Sequence, residues 1–139
     1  MKLTQIQPVQ NCISLDNWQE YQRDGEQFIS VARRAIEKHN SRFTPEILYN
    51  LIAMGIEKLI MAFLMKRGDL AENHTMGDLL YSLQKHLGKL EELQEDFAYL
   101  DSFQEICELA NYKRKAPDLD EISRILGIGE KVRSMLSLH

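Results

Sequence analysis

The sequence of 139 residues has little cysteine and little proline, with two Cys and three Pro. Cys12 and Cys107 do not amount to the dense disulfide framework that stabilises small secreted domains. The first 17 residues contain a single Lys and no long apolar run, so they do not resemble a secretory signal peptide. These absences favour a cytoplasmic protein.

Long hydrophobic runs are also missing. The most apolar stretch, Leu51 to Met65, is shorter than the roughly 20 residues that a membrane-spanning helix needs, and it carries Glu57 and Lys58 near its middle. We therefore expect a core helix and no membrane span. No stretch alternates polar and apolar residues with the period of two that is typical of a strand, so no β-sheet is expected.

The charge balance excludes one class of function. The formal net charge is -4 and the pI is near 5.6, which argues against a surface that coats nucleic acid. The composition, 44% hydrophobic and 27% charged, is that of an ordinary folded protein, and the length suits one domain. We predict an N-terminal tail over residues 1–16 and a single domain over residues 17–139.

Five segments have apolar residues at three- and four-residue steps, the spacing of one face of a helix. We predict helices from Asn17 to His39, from Thr44 to about Arg67, from Thr75 onwards, after Gly88 and after Pro117. Thr44 followed by Pro45 is a typical helix start, and Thr75 with Asp78 predicts a capping box. The predicted fold is an all-α, up-and-down bundle of four to five helices.

The second helix is apolar around most of its circumference, so it is expected to lie at the centre of the bundle or in a subunit interface. We predict a core that contains Leu51, Leu59, Phe63, Leu83 and Phe97. Because the last helix is short, some apolar surface of the second helix is expected to be covered by a second copy. The predicted homodimer contacts are Met54, Ile60, Met61 and Met65.

Two residue pairs are candidates for chemistry. Arg34 and His39 fit an Arg-x4-His spacing, in which imidazole moves protons and guanidinium binds phosphate during RNA cleavage. The alternative is that these cations only complement the helix macrodipole. Glu57 and Lys58 are charges in an apolar helix, which indicates either a solvated edge or a structural ion pair, or else residues that line a groove or a dimer interface.

Two further patterns carry weaker hypotheses. His74 and His86 lack Cys or carboxylates at zinc spacing, so we predict capping or surface histidines and no metal site or cofactor. Ile125 to Val132, with Gly127 and Gly129, resembles the hairpin of a helix-hairpin-helix motif that meets a DNA phosphate through backbone amides. A DNA-binding module is therefore the third functional hypothesis.

One set of motifs resembles a known family, the HEPN domain (higher eukaryotes and prokaryotes nucleotide-binding). The resemblance lies in Met54 to Ala62 with its Glu-Lys pair, in Gly68, and in Asn73-His74-Thr75 before Leu79-Leu80. The segment Tyr112 to Pro117 is similar to the family's Arg-Tyr-Pro-like close, with Tyr before Arg. The match covers roughly residues 17 to 138.

The resemblance implies a helical bundle that is often homodimeric and acts as an RNase toxin or as the non-catalytic partner of a small nucleotidyltransferase. It implies ligand-binding roles for Glu57, Lys58, His74, Tyr112 and Arg114, with nucleotide or RNA as ligand. Catalytic members carry an Arg-x4-6-His motif late in the fold, and no His occurs from Asn111 to Asp118. The leading hypothesis is therefore a non-catalytic binding module in a toxin–antitoxin-like pair, and a metal-independent RNase is the alternative.

Overall fold

The computed structural model of the chain describes residues 17–71, 73–108 and 116–139. Within these ranges it contains five α-helices and no strand, which confirms the predicted all-α bundle. The helices are α1 (Trp18–Glu37), α2 (Pro45–Lys66), α3 (Met76–Leu87), α4 (Glu91–Glu108) and α5 (Leu119–Leu136). The predicted tail over residues 1–16, Cys12, Tyr112 and Arg114 lie outside the described residues.

Helix α2 is the central element of the bundle, because it packs against α1, α3 and α5. By length and composition it could cross a membrane, and 67% of its most apolar window is buried against the rest of the bundle. Leu59 and Phe63 of α2, Leu83 of α3 and Phe97 of α4 are buried together in one core, as predicted. The apolar surface of α2 is thus used mainly within the chain.

Leu51 does not belong to the buried core, so that prediction was wrong. The residue is only half-buried, because it lies on the outer face of α2 with Ile47 and Met54. These two side chains stand four residues before and three residues after Leu51, and they are 43% and 41% exposed. An apolar stripe therefore remains at the surface of α2.

The predicted homodimer contacts were wrong for three of the four residues. Ile60, Met61 and Met65 are buried within the chain itself, with exposed fractions of 0%, 3% and 2%. Helices α1, α3 and α5 all pack on α2. Together they cover more of its apolar surface than was expected from the last helix alone. Only Met54 of the predicted set is free to touch another molecule.

The helix starts are set by side-chain caps. Thr44 accepts a hydrogen bond from the Ile47 N–H at 3.2 Å, as expected for the start of α2. The capping box predicted at Thr75 and Asp78 is incomplete. The Thr75 hydroxyl accepts from the Asp78 N–H and donates to the Asp78 carboxylate, and no bond returns from Asp78 to the cap amide. The carboxylate of Asp101 instead accepts from the Met76 and Gly77 N–H groups at 3.1 and 3.0 Å.

The predicted helix-hairpin-helix motif is wrong, because α5 runs without interruption through Gly127 and Gly129. A complete capping box between Asp118 and Glu121 starts the helix. Gly129 is buried against α2, where a Cβ atom would lie 3.0 Å from Cγ2 of Ile52. The glycine therefore allows close helix packing and does not form a hairpin that could meet DNA.

Candidate functional site

Two carboxylate–histidine pairs lie at the two ends of α3. Nδ1 of His74, just before the helix, contacts Oε2 of Glu57 on α2. Nε2 of His86, in the last turn, lies 2.9 Å from Oδ2 of Asp69 in the preceding loop. Each pair joins residues 17 positions apart. Of the alternatives predicted for Glu57, the structure shows a partly exposed carboxylate in contact with His74.

Lys58 does not share this contact, although it follows Glu57 directly in the sequence. Its Nζ lies 4.6 Å from the ring centroid of Tyr21 on α1, a cation–π contact. Successive helical residues point about 100° apart, so the two charges serve different neighbours. Of the predicted ligand-binding residues, the structure brings Glu57 and His74 together and places Lys58 apart from them.

A polar cleft lies between the loop after α2 and the outer face of α3. Its volume is about 350 Å³, within the range of pockets that hold small molecules. The polar lining side chains are Asp69, Asn73, Asp78, Tyr81, Ser82 and Lys85. The cleft therefore offers hydroxyl, amide, carboxylate and ammonium groups around one aromatic ring.

Tyr81 is the aromatic ring of this cleft, and it is 67% exposed. Its neighbour one turn on, Lys85, places Nζ 5.9 Å from the ring centroid and 3.7 Å from Oδ2 of Asp69. An open aromatic face accepts a planar base by stacking, and a lysine beside it supplies a charge for phosphate. The two residues together suit a ligand that has both a planar ring and an anionic group.

Asp69 is the carboxylate of the cleft wall that contacts the basic side chains Lys85 and His86. The hydrogen bond with His86 is the main reason that the pKa of Asp69 lies below its ordinary value of 3.8. Partial burial opposes this effect, while the Leu70 N–H, which donates at 2.8 Å, and the charge of Lys85 add to it. The carboxylate, which is ionised at neutral pH, lies 2.9 Å from Nε2 of His86 and 3.7 Å from Nζ of Lys85.

Among the described residues, the pKa values of two other groups are shifted, and both groups lie away from the cleft. Burial, with Glu121 and Asp118 nearby, raises the pKa of the Tyr99 hydroxyl against the opposing charge of Arg124. The hydrogen bond to Asp96 at 2.7 Å raises the pKa of Lys131. Both shifts follow from contacts between α4 and α5, so they are structural.

The candidate catalytic pair Arg34 and His39 is exposed at the far end of α1. His39 lies past the end of the helix with a φ of 50°, in the left-handed region. The described residues include no hydrogen bond between the two side chains, and the two line different surface cavities. The predicted spacing therefore does not produce an assembled pair in this chain.

Sequence reasoning missed Asp69, Tyr81 and Lys85. A signal was present in α3, since Asp78, Tyr81 and Lys85 follow one another at three- and four-residue steps opposite the apolar stripe. The contribution of Asp69 could not be read in this way, because a loop residue has no periodic position. In the described part of the chain no group of three or more metal-ligating side chains comes together.

Comparison with protein-family models, with curated proteins and with solved structures finds no match to this chain. The resemblance to HEPN domains is therefore carried by the sequence motifs alone.

Proposed function

We propose that this chain is a non-catalytic, HEPN-like binding module of the cytoplasm that binds a nucleotide in the cleft beside α3. We further propose that it acts as the partner of a second protein, in the manner of the modules that pair with small nucleotidyltransferases in toxin–antitoxin-like systems. The observation that supports nucleotide binding is the exposed Tyr81 ring on the wall of a polar cleft, with Lys85 beside it.

A nucleotide would use the cleft in a defined way. The base would stack on Tyr81, which contributes on the order of 1–3 kcal/mol in stacking sites of this kind. The ammonium group of Lys85 would meet a phosphate as a point charge. Asn73 and Ser82 would exchange hydrogen bonds with the base or ribose, while Asp78 would accept from ribose hydroxyls.

The absence of an assembled acid–base pair in the described residues favours binding over cleavage. His74 and His86 are held by separate carboxylates. His74 precedes the start of α3 at Met76, and His86 lies ten helical residues after Met76, a rise of about 15 Å along the axis. Two groups at that separation cannot act on one phosphodiester. Arg34 and His39 share no hydrogen bond within the described residues.

Calorimetric titration with AMP and ATP tests nucleotide binding. We expect Tyr81→Ala to weaken binding about tenfold through lost stacking, while Tyr81→Phe retains it. Lys85→Gln should reduce the preference for the more highly phosphorylated nucleotide. Lys89→Gln is the matched control, since Lys89 is exposed, lies outside the cleft and pairs with Glu91. No heat with either nucleotide, or equal binding by Tyr81→Ala, would contradict the proposal.

The RNase alternative has its own experiment. Purified protein should lack robust cleavage of single-stranded RNA. Cleavage that disappears in both Arg34→Ala and His39→Ala, with circular dichroism unchanged, would establish the alternative in place of the binding module.

We also propose a homodimer, supported by the apolar stripe that leaves Met54 exposed and by the pairing habit of HEPN-like proteins. Light scattering at tens of micromolar protein should give the mass of two chains. A clean monomer mass at that concentration would remove this part of the proposal and leave nucleotide binding unaffected.

A further inference from the structure

Ser82 is a buried polar side chain on the cleft side of α3. It is 5% exposed, and it lines the polar cleft of about 350 Å³. Within the described residues its hydroxyl has no hydrogen-bond partner. The hydroxyls of Ser102 and Ser137, by contrast, donate to the backbone carbonyl three residues earlier at 2.6 and 2.7 Å. Buried polar groups in folded proteins are nearly always hydrogen-bonded, so the Ser82 hydroxyl points to a partner that enters the cleft.

The carboxylate of Asp78 lies one turn before Ser82 and lines the same cleft. Its Oδ2 accepts from the Thr75 hydroxyl at 2.9 Å, and its Oδ1 accepts no hydrogen bond within the described residues. An ionised carboxylate only accepts hydrogen bonds, whereas a serine hydroxyl both donates and accepts. Side chains four residues apart on a helix stand about 5–6 Å apart at Cβ. A single ligand hydroxyl therefore fits between the two, accepting from Ser82 and donating to Asp78.

The ammonium group of the cleft stands at its other end. Lys85 follows Asp78 by seven residues, which is a rise of about 10 Å along α3. Its Nζ lies 3.7 Å from Oδ2 of Asp69 and 5.9 Å from the Tyr81 ring centroid. The Asp69 carboxylate also contacts His86 at 2.9 Å, so it is shared between two basic side chains. A phosphate is therefore favoured at the Lys85 end, and the Asp78 end suits a neutral donor.

These positions match the order of groups in a nucleotide. With the base on Tyr81 and the phosphate at Lys85, the sugar is the part that is left for Ser82 and Asp78. Ribose hydroxyls both donate and accept, whereas an amino group of the base only donates and would leave the Ser82 proton unpaired. Carboxylates bind the ribose 2′-hydroxyl in dinucleotide sites, and this hydroxyl distinguishes RNA units from DNA units.

We propose that Ser82 and Asp78 bind the ribose of the nucleotide, so that the cleft selects ribonucleotides over 2′-deoxyribonucleotides. The Ser82 hydroxyl donates to the 2′-hydroxyl, and the 2′-hydroxyl donates to the Asp78 carboxylate. The proposal rests on the proposed nucleotide binding and names the class of ligand at the same site.

Calorimetric titration of the full chain with AMP, 2′-deoxy-AMP and IMP is the test. We expect 2′-deoxy-AMP to bind about tenfold more weakly than AMP, because it loses both hydrogen bonds at once. IMP keeps the ribose and has an oxygen in place of the 6-amino group. It should bind much as AMP does.

Two variants assign the preference to residues. In Ser82→Ala and in Asp78→Asn, the ratio of the affinities for AMP and 2′-deoxy-AMP should shrink several-fold. The ratio is the informative quantity, because a changed charge at position 78 affects both nucleotides. Since the Ser82 hydroxyl has no partner within the described residues and alanine favours a helix, Ser82→Ala should not lower the melting temperature. Ser134→Ala, at an exposed serine of α5 outside the cleft, is the matched control and should keep the full ratio.

Several results would overturn the proposal. Equal affinities for AMP and 2′-deoxy-AMP, or an unchanged ratio in Ser82→Ala, would show that the buried hydroxyl does not bind the ribose. Weak binding of IMP alone would assign Ser82 and Asp78 to the base instead. Each of these results leaves nucleotide binding in place, whereas no heat with any of the three nucleotides contradicts the proposed function as well.

Discussion

Gly25 and Gly55 face each other where α1 crosses α2. A Cβ atom built on either glycine would lie 3.0 Å from the carbonyl oxygen of the other. The same Cβ atoms would also lie 2.9 Å from Cγ of Leu59 and 2.7 Å from Cγ1 of Ile29, respectively. The two helix backbones therefore approach more closely than any residue with a side chain allows.

We predict that Gly25→Ala and Gly55→Ala each destabilise the protein. A methyl group at either position forces backbone and core side chains apart, and overpacking of this kind costs roughly 1–3 kcal/mol. The free energy of unfolding from urea titrations followed by circular dichroism measures the effect.

Gly127→Ala is the control for this pair. Gly127 is exposed in the middle of α5, and a Cβ atom there meets nothing within 4 Å. Since alanine favours a helix interior over glycine, we expect a gain of about 0.5–1 kcal/mol. If all three alanines changed stability alike, the close contact between α1 and α2 would not be the cause.

Met65→Glu should unfold the protein rather than merely separate subunits. The side chain of Met65 is 2% exposed, so an unpaired carboxylate there costs roughly 3–5 kcal/mol. Met54→Glu, at a position that is 41% exposed, should leave the chain folded and weaken only the proposed homodimer. Thermal unfolding of both variants decides the point, and a stable, folded Met65→Glu would contradict the burial described for α2.

Asp69→Asn should weaken the protein at neutral pH and lose its effect in acid. Because the folded pKa of Asp69 lies below its ordinary value of 3.8, the folded protein binds fewer protons there than the unfolded chain does. The stabilisation is therefore present above pH 3.8 and disappears as the pH falls through the lowered pKa.

The size of this effect should be small, about 0.2–1 kcal/mol, since the pair is partly exposed to solvent. Urea midpoints across the acidic range measure it. A difference for Asp69→Asn that persists in strong acid would show that lost packing, not lost charge, is responsible.

Tyr49→Phe should cost about 1–2 kcal/mol. The Tyr49 hydroxyl is fully buried and donates to the Leu100 carbonyl oxygen at 2.8 Å, so its removal loses a buried hydrogen bond. Tyr81→Phe removes an exposed hydroxyl and should change the free energy of unfolding by less than about 0.5 kcal/mol. Equal effects of the two substitutions in urea titrations would exclude the buried bond as the source.

The helices could be predicted from sequence because their signals are local. Thr44 with Pro45 marks the start of α2, and Gly88 in the left-handed region marks the end of α3. Burial on α2 could not be predicted in the same way. Whether Met61 or Leu51 meets solvent depends on where α1, α3 and α5 pack, which periodicity around one helix does not contain.

The candidate site was only partly predictable for the same reason. Glu57 and His74 were singled out separately, and their contact depends on the path of the loop between them. Gly127 and Gly129 predict a hairpin from sequence, because two glycines usually interrupt a helix. The close approach of α5 to Ile52, which favours glycine at position 129, is a tertiary feature.

The two carboxylate–histidine pairs also constrain the length of the loop between α2 and α3. Each pair spans 17 positions, Glu57 to His74 and Asp69 to His86. The two spans overlap only from residue 69 to residue 74. One inserted or deleted residue in that overlap would alter both separations at once. Surface loops usually tolerate changes in length. The loop between α2 and α3 is different, because its two carboxylate–histidine pairs set the position of α3 on α2. Insertions and deletions should therefore be rarer in this loop than in the turn between α1 and α2.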